Sequence, residues 1–157
     1  MVMEDRSKPI KRHISLQPLS REHHHTLVLV WKIRKAIREH VELDRVDQYV
    51  SWFYQQYVMS HFAMEEKYIF PVLGNQHEMI VRALDEHKML KGYFEAQGKD
   101  GNAYLELADL LEKHIRFEER ALFKAVQELA TEQQLKTIAE KHGEDQFRDN
   151  EDDPFWK

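Results

Sequence analysis

The chain has 157 residues, enough for one domain with its own core, and its 42% hydrophobic and 32% charged residues rule out a disordered composition. A formal net charge of −5, with no basic run interleaved with aromatics, gives no nucleic-acid footprint. The lack of cysteine excludes disulfides, thiolate zinc sites and thiol catalysis, and no stretch reads as a signal peptide or a membrane span, so a soluble cytoplasmic protein is expected.

Residues 1–18, polar and carrying Pro9 and Pro18, read as an N-terminal arm. Ser20 is placed to cap a first helix running to about His40, whose Leu19, Leu27, Val30, Ile33 and Ile37 recur at helical steps. A second helix starts at Asp44 or Asp47, runs through Val50, Phe53, Tyr57, Met64 and Tyr68, and is closed by Pro71 and Gly74. A third spans about Asn75 to Gln97, with Ile80, Leu84, Leu90 and Phe94 inward. The Gly98–Asn102 stretch is the clearest turn. A fourth helix follows through Leu107, Leu110, Leu111, Phe117, Leu122 and Val126 to about Ala130.

Thr131 can cap a short fifth helix through Leu135, Ile138 and Ala139. The acidic run 149–153 reads as a solvated tail, with Phe155 and Trp156 able to dock. The expectation is an all-α, up-down-up-down four-helix bundle over residues 19–130, with residues 131–157 forming a short helix and acidic tail. Trp31 and Trp52 are assigned to the core or bundle rim. His13, His25, His40, His77 and His142 are assigned to the surface.

The ten histidines are the unusual part of the composition. Residues 61–70 and 114–123 share the pattern His-x-x-x-Glu-Glu, an apolar residue and Phe in corresponding places. On a helix, positions i and i+4 lie on one face about 6 Å apart along the axis, so His61 with Glu65, and His114 with Glu118, each aim two ligands at one place. Both pairs continue apolar stripes. An ionised glutamate on a core face without a compensating cation costs several kcal/mol, so the two pairs ask for a metal.

The third helix offers His87 on its inner face. In the first, His23 falls near the centre of the apolar stripe and is preferred, whereas His24 sits near its edge and His25 points elsewhere. The step from His24 to Leu27, however, echoes that from His87 to Leu90. Imidazoles with carboxylates suit iron or manganese, and zinc accepts the same donors.

Glu-His on helices one and three, alternating with His-x-x-x-Glu on helices two and four, resembles the hemerythrin, or HHE cation-binding, family over roughly residues 18–130. The resemblance implies a non-heme centre of two iron ions with an exchangeable position for dioxygen, nitric oxide or peroxide. Glu65 and Glu118 would bridge, and His23, His61, His87 and His114 would supply nitrogens. Glu66 and Glu119 fall on the solvent side or behind the ligands, with Glu119 a rival bridge because oxygen carriers place that carboxylate five residues after the histidine.

Lys91 stands where oxygen carriers have a further histidine, and is expected at the pocket mouth. The remaining set of four histidines and two glutamates is more like the family's iron-sensing and iron-sulfur repair members, although the repair proteins often carry a cysteine-containing region that has no counterpart here. The implied activity is binding of, or reaction with, a small diatomic or peroxide ligand in sensing or iron handling, more than enzymatic turnover. The alternatives are a regulatory module with a structural metal, working through a homodimer or an unknown protein partner, and a cluster-repair protein.

Overall fold

A computed structural model describes residues 11–143 and 147–157, and the expectation for the first ten residues of the arm lies outside them. Among the described residues all regular structure is helical: α1 (Gln17–Arg38), α2 (residues 43–72), α3 (Glu78–Glu95), α4 (residues 101–129) and α5 (Glu132–His142). No helix among them is long and apolar enough to cross a membrane.

Local chemistry sets most of the helix ends. Pro18 sits in the first turn of α1, where a missing N–H does no harm. The expected cap at Ser20 is not used; the helix begins earlier, at Gln17, and the Ser20 hydroxyl donates instead to Glu119 at 2.8 Å. α1 ends in a Schellman arrangement, with His40 in the left-handed region (φ 56°) and Val41 N–H donating to the Ala36 carbonyl at 2.9 Å. α3 starts later than the periodicity suggests, because the His77 ring accepts from Met79 N–H and caps it. Asp100 caps α4, and Thr131 with Gln134 forms a reciprocal capping box on α5.

Two long helices are interrupted by wider π-turns. In α2 these are Tyr54–Val58 and Glu65–Ile69, and in α4 the turn is Glu118–Leu122. Two of the three therefore begin at the glutamate of a His-x-x-x-Glu pair. Such bulges gather at functional positions.

α1 packs along α4, α4 along α3, α3 against α2 and α2 against α1, closing a ring of four helices, while α5 rests on the Glu65–Ile69 turn. The interior is split into two hydrocarbon layers. One contains Val30, Ile33, Val50, Phe53, Leu90, Leu107 and Leu111; the other contains Leu19, Ile69, Phe70, Ile80, Leu122, Phe123 and Val126. On α1 and α3 the change from one layer to the other falls at His23 and His87; on α2 and α4 it falls between Phe62 and Ile69 and between Ile115 and Leu122, around Glu65 and Glu118.

Two sequence expectations need correction. The acidic tail is docked rather than solvated: Phe155 and Trp156 are buried in the first layer, and Arg45 pairs with Asp153 at 2.7 Å. Lys32, buried on α1, reaches Asp149 at 2.5 Å and lies 3.6 Å from the Trp156 ring centroid. Trp31 belongs to neither core nor rim. It is 51% exposed, with the Lys35 ammonium 5.3 Å from its ring centroid.

Candidate metal centre

Between the two hydrocarbon layers lie His23, His61, Glu65, His87, His114 and Glu118, all buried, with both glutamates at 0% exposure. They form two overlapping groups, His23–His61–Glu65–Glu118 and Glu65–His87–His114–Glu118, in each of which the ligand atoms lie within 4.8 Å of one another. Each glutamate belongs to both groups. His61 Nε2 is 3.0 Å from Glu65 Oε2, and His87 Nε2 is 3.0 Å from Glu65 Oε1. Glu118 mirrors this, with Oε1 2.9 Å from His23 Nε2 and Oε2 3.2 Å from His114 Nε2.

Behind the six stands a second row of carboxylates. His23 Nδ1 contacts Glu119 at 2.6 Å, and His61, His87 and His114 contact Glu22, Glu66 and Glu86 through Nδ1, each at 2.7 Å. An ionised carboxylate only accepts, so each Nδ1 carries the proton and each Nε2 is turned to the centre. The pairing crosses between helices. Glutamates of α1 and α3 hold histidines of α2 and α4, and the reverse. Such partners fix ring orientation and raise ligand basicity in metal sites.

The inner atoms do not satisfy one another. His23 Nε2 and His61 Nε2 face each other at 3.0 Å, where two lone pairs or two N–H groups repel and only a shared proton binds them. Glu65 Oε2, His114 Nε2 and Glu118 Oε2 are buried with no hydrogen-bond partner. Orphaned acceptors in a dry interior are costly, and a cation between them removes the penalty. The donor set therefore fits a metal pair.

Proton equilibria carry the same message. Burial pulls the His61 ring down, but Glu65 and Glu22 outweigh it and raise it to about 9; burial opposes His87 likewise, and Glu118 and Glu65 lift it to about 10. His23 and His114 are also raised, against burial, by the glutamates around them. Burial lifts Glu118, yet the facing histidines hold it well below the usual carboxylate range, and Glu65 is lowered in the same way despite Glu118 beside it. Without metal, protons held on the imidazoles offset carboxylate charge, and divalent cations can replace them.

The rings are also fixed by packing: His87 stacks on Phe62 at 3.8 Å between centroids, and His23 on Phe123 at 5.1 Å. Over one side of the centre, His23, Thr26, Val58, His61, Phe62, Leu111, His114 and Ile115 line a small cavity. It has room for roughly one water molecule. Lys91, expected at a pocket mouth, does not line this cavity; it is half-buried and forms no hydrogen bond or ion pair among the described residues.

His24 is exposed, and His25 stacks on Phe147 at 4.0 Å. Glu119 lies behind His23 rather than between the two histidine pairs. His142, assigned to the surface from sequence, places Nε2 3.0 Å from Glu22 Oε2. With His61 on the other oxygen, Glu22 is lowered to about 2 although burial opposes this. Glu22 and Glu86 escaped notice as histidine partners, although the repeated Glu-His dipeptide was a visible signal.

A family model described as hemerythrin HHE cation binding domain matches residues 16–126. No curated protein and no solved structure matches the chain.

Proposed function

Since this chain belongs to the hemerythrin HHE cation-binding domain family, we propose that an up-down-up-down bundle of α1–α4 holds two iron ions and binds or reacts with a small diatomic or peroxide ligand. The observation that carries this reading is the pair Glu65 and Glu118, fully buried, each with an orphaned oxygen and each shared by two histidine pairs. In this reading His23 and His61 would hold one ion and His87 and His114 the other, with Glu65 and Glu118 available to both.

Two nitrogens and two carboxylate oxygens per ion would complete a tetrahedral zinc site but leave a six-coordinate iron site open. Bound ferrous ions would supply the electrons and free coordination positions that dioxygen, nitric oxide or peroxide requires. The chain's own part is confinement. Val58, Phe62, Leu111 and Ile115 restrict the approach to something of diatomic size and keep bulk water out. Nothing in so narrow a cavity accommodates an organic substrate, which favours sensing or iron handling over substrate turnover.

Anaerobic reconstitution with ferrous iron, followed by exposure to air or nitric oxide, tests the reading. Two irons per chain and a new near-ultraviolet charge-transfer band on exposure are expected. Two tightly bound ions with a spectrum indifferent to both gases would leave a structural metal centre instead.

A further inference from the structure

The two halves of the centre match in their inner atoms and differ in what stands behind them. On the His23–His61 side, both outer carboxylates are held at both oxygens, one of them in each case by a segment beyond the matched family domain. Glu22 accepts from His61 through Oε1 and faces His142 of α5 through Oε2. Glu119 contacts His23 and Ser20 through Oε2, and Arg12 reaches its Oε1 at 3.2 Å and its backbone carbonyl at 2.6 Å. Arg12 and His142 both fall outside residues 16–126.

The His87–His114 side has no such support. The second oxygen of Glu86 meets only Arg82, a solvent-exposed residue one turn back on the same helix, at 2.9 Å. The Arg82 guanidinium packs over the Phe117 ring at 3.8 Å, but as a half-exposed partner on the same helix it ties Glu86 to no segment beyond the bundle. Glu66 has no hydrogen-bond partner beyond His87 among the described residues.

Ring stacking does not separate the halves, since His23 and His87 each lie on a phenylalanine. Nor do the braces weaken the contacts they support: the Nδ1 distances are 2.6 and 2.7 Å on the braced side and 2.7 Å twice on the other. What differs is the freedom of the glutamates. A carboxylate fixed at both ends keeps its histidine in the ligating pose before the ion arrives, whereas one fixed at a single oxygen must be ordered by the ion itself.

We infer that Arg12 and His142 are positioning residues that make the His23–His61 site the tight one, so that the two metal positions fill in sequence and the His87–His114 ion is the exchangeable one. This rests on the two-metal reading. It adds that the segments flanking the family domain work on the centre through Glu119 and Glu22.

Native mass spectrometry of the full chain titrated anaerobically with cobalt(II) tests it. A one-ion species should accumulate before the two-ion species, with the steps separated about tenfold or more. His61→Ala should remove the tight step and His114→Ala the weak one. Arg12→Ala with His142→Ala should weaken the tight step about 10–100-fold and merge the two, while Arg82→Ala leaves the tight step alone. His142→Gln, which keeps a donor toward Glu22, should restore the separation when Arg12 is present. Melting of each variant in chelator identifies any loss that comes from unfolding, and an Arg12→Ala/His142→Ala chain that is folded yet unchanged in its steps overturns the inference. So do two indistinguishable steps in the wild type, or equal weakening of both ions by the double variant. No cobalt bound by the wild type would instead remove the two-metal reading and this inference with it.

Discussion

The hydrocarbon layers and the polar layer between them are held together by opposite means. In the layers, residues such as Phe53, Tyr104, Phe70 and Phe123 are buried against apolar neighbours, and their removal from water is itself the stabilisation. The one polar end among them is also provided for, since the Tyr104 hydroxyl donates to Asp47. In the polar layer, burial works against the fold. Two carboxylates and four imidazoles have been taken out of water, and three of their atoms make no hydrogen bond. Breaking a buried charged cluster destabilises, but keeping it is no gain over hydrocarbon. The layer is therefore a functional concession that the two apolar layers support.

That contrast can be broken by paired substitutions. Phe53→Ala should cost about 3–5 kcal/mol whether or not metal is present, with iron stoichiometry unchanged; chemical denaturation with and without chelator measures it. Glu118→Ala should do the reverse. At about a thousandfold excess of metal over its Kd, the wild type should gain about 4 kcal/mol, and the variant should lose that gain, because Glu118 belongs to both candidate ligand groups. A Glu118→Ala chain that melts with the same metal-dependent gain would contradict the account.

A smaller effect sharpens the contrast through pH. Folding raises His61 from 6.5 to about 9 and His87 from 6.5 to about 10. In the metal-free chain these groups contribute stability that is complete below about pH 6.5 and is lost as pH climbs through 9 to 10. Melting temperature in chelator should fall across that window. Metal affinity should rise over it, because the ions displace the same protons. An apoprotein whose melting temperature is level from pH 6.5 to 10 would show that the histidines carry no such protons.

The sequence made the inner row of this layer visible because helical spacing alone aligns His61 with Glu65 and His114 with Glu118, and the apolar stripes around them show which way they face. Even the choice of His23 over His24 follows from the stripe. The outer row depends on contacts between helices, which no spacing along one helix reveals. Glu66 and Glu119 looked solvent-facing because neighbours on an α-helix diverge widely, and the π-turns that begin at Glu65 and Glu118 change that divergence. His142 continues the stripe of Leu135 and Ile138 on α5, so its inward face was legible, but what it meets depends on where α5 docks. The tail was misjudged for a related reason. Its acidic residues suggested water, whereas Lys32, on the buried face of α1, was the counter-charge awaiting Asp149.

Crystals soaked anaerobically with ferrous salt and measured across the iron absorption edge test the centre most directly. Two anomalous peaks should lie between Glu65 and Glu118, one beside His23 and His61 and the other beside His87 and His114. An iron-replete crystal with no peak there, and the six side chains still packed against one another, would contradict the account.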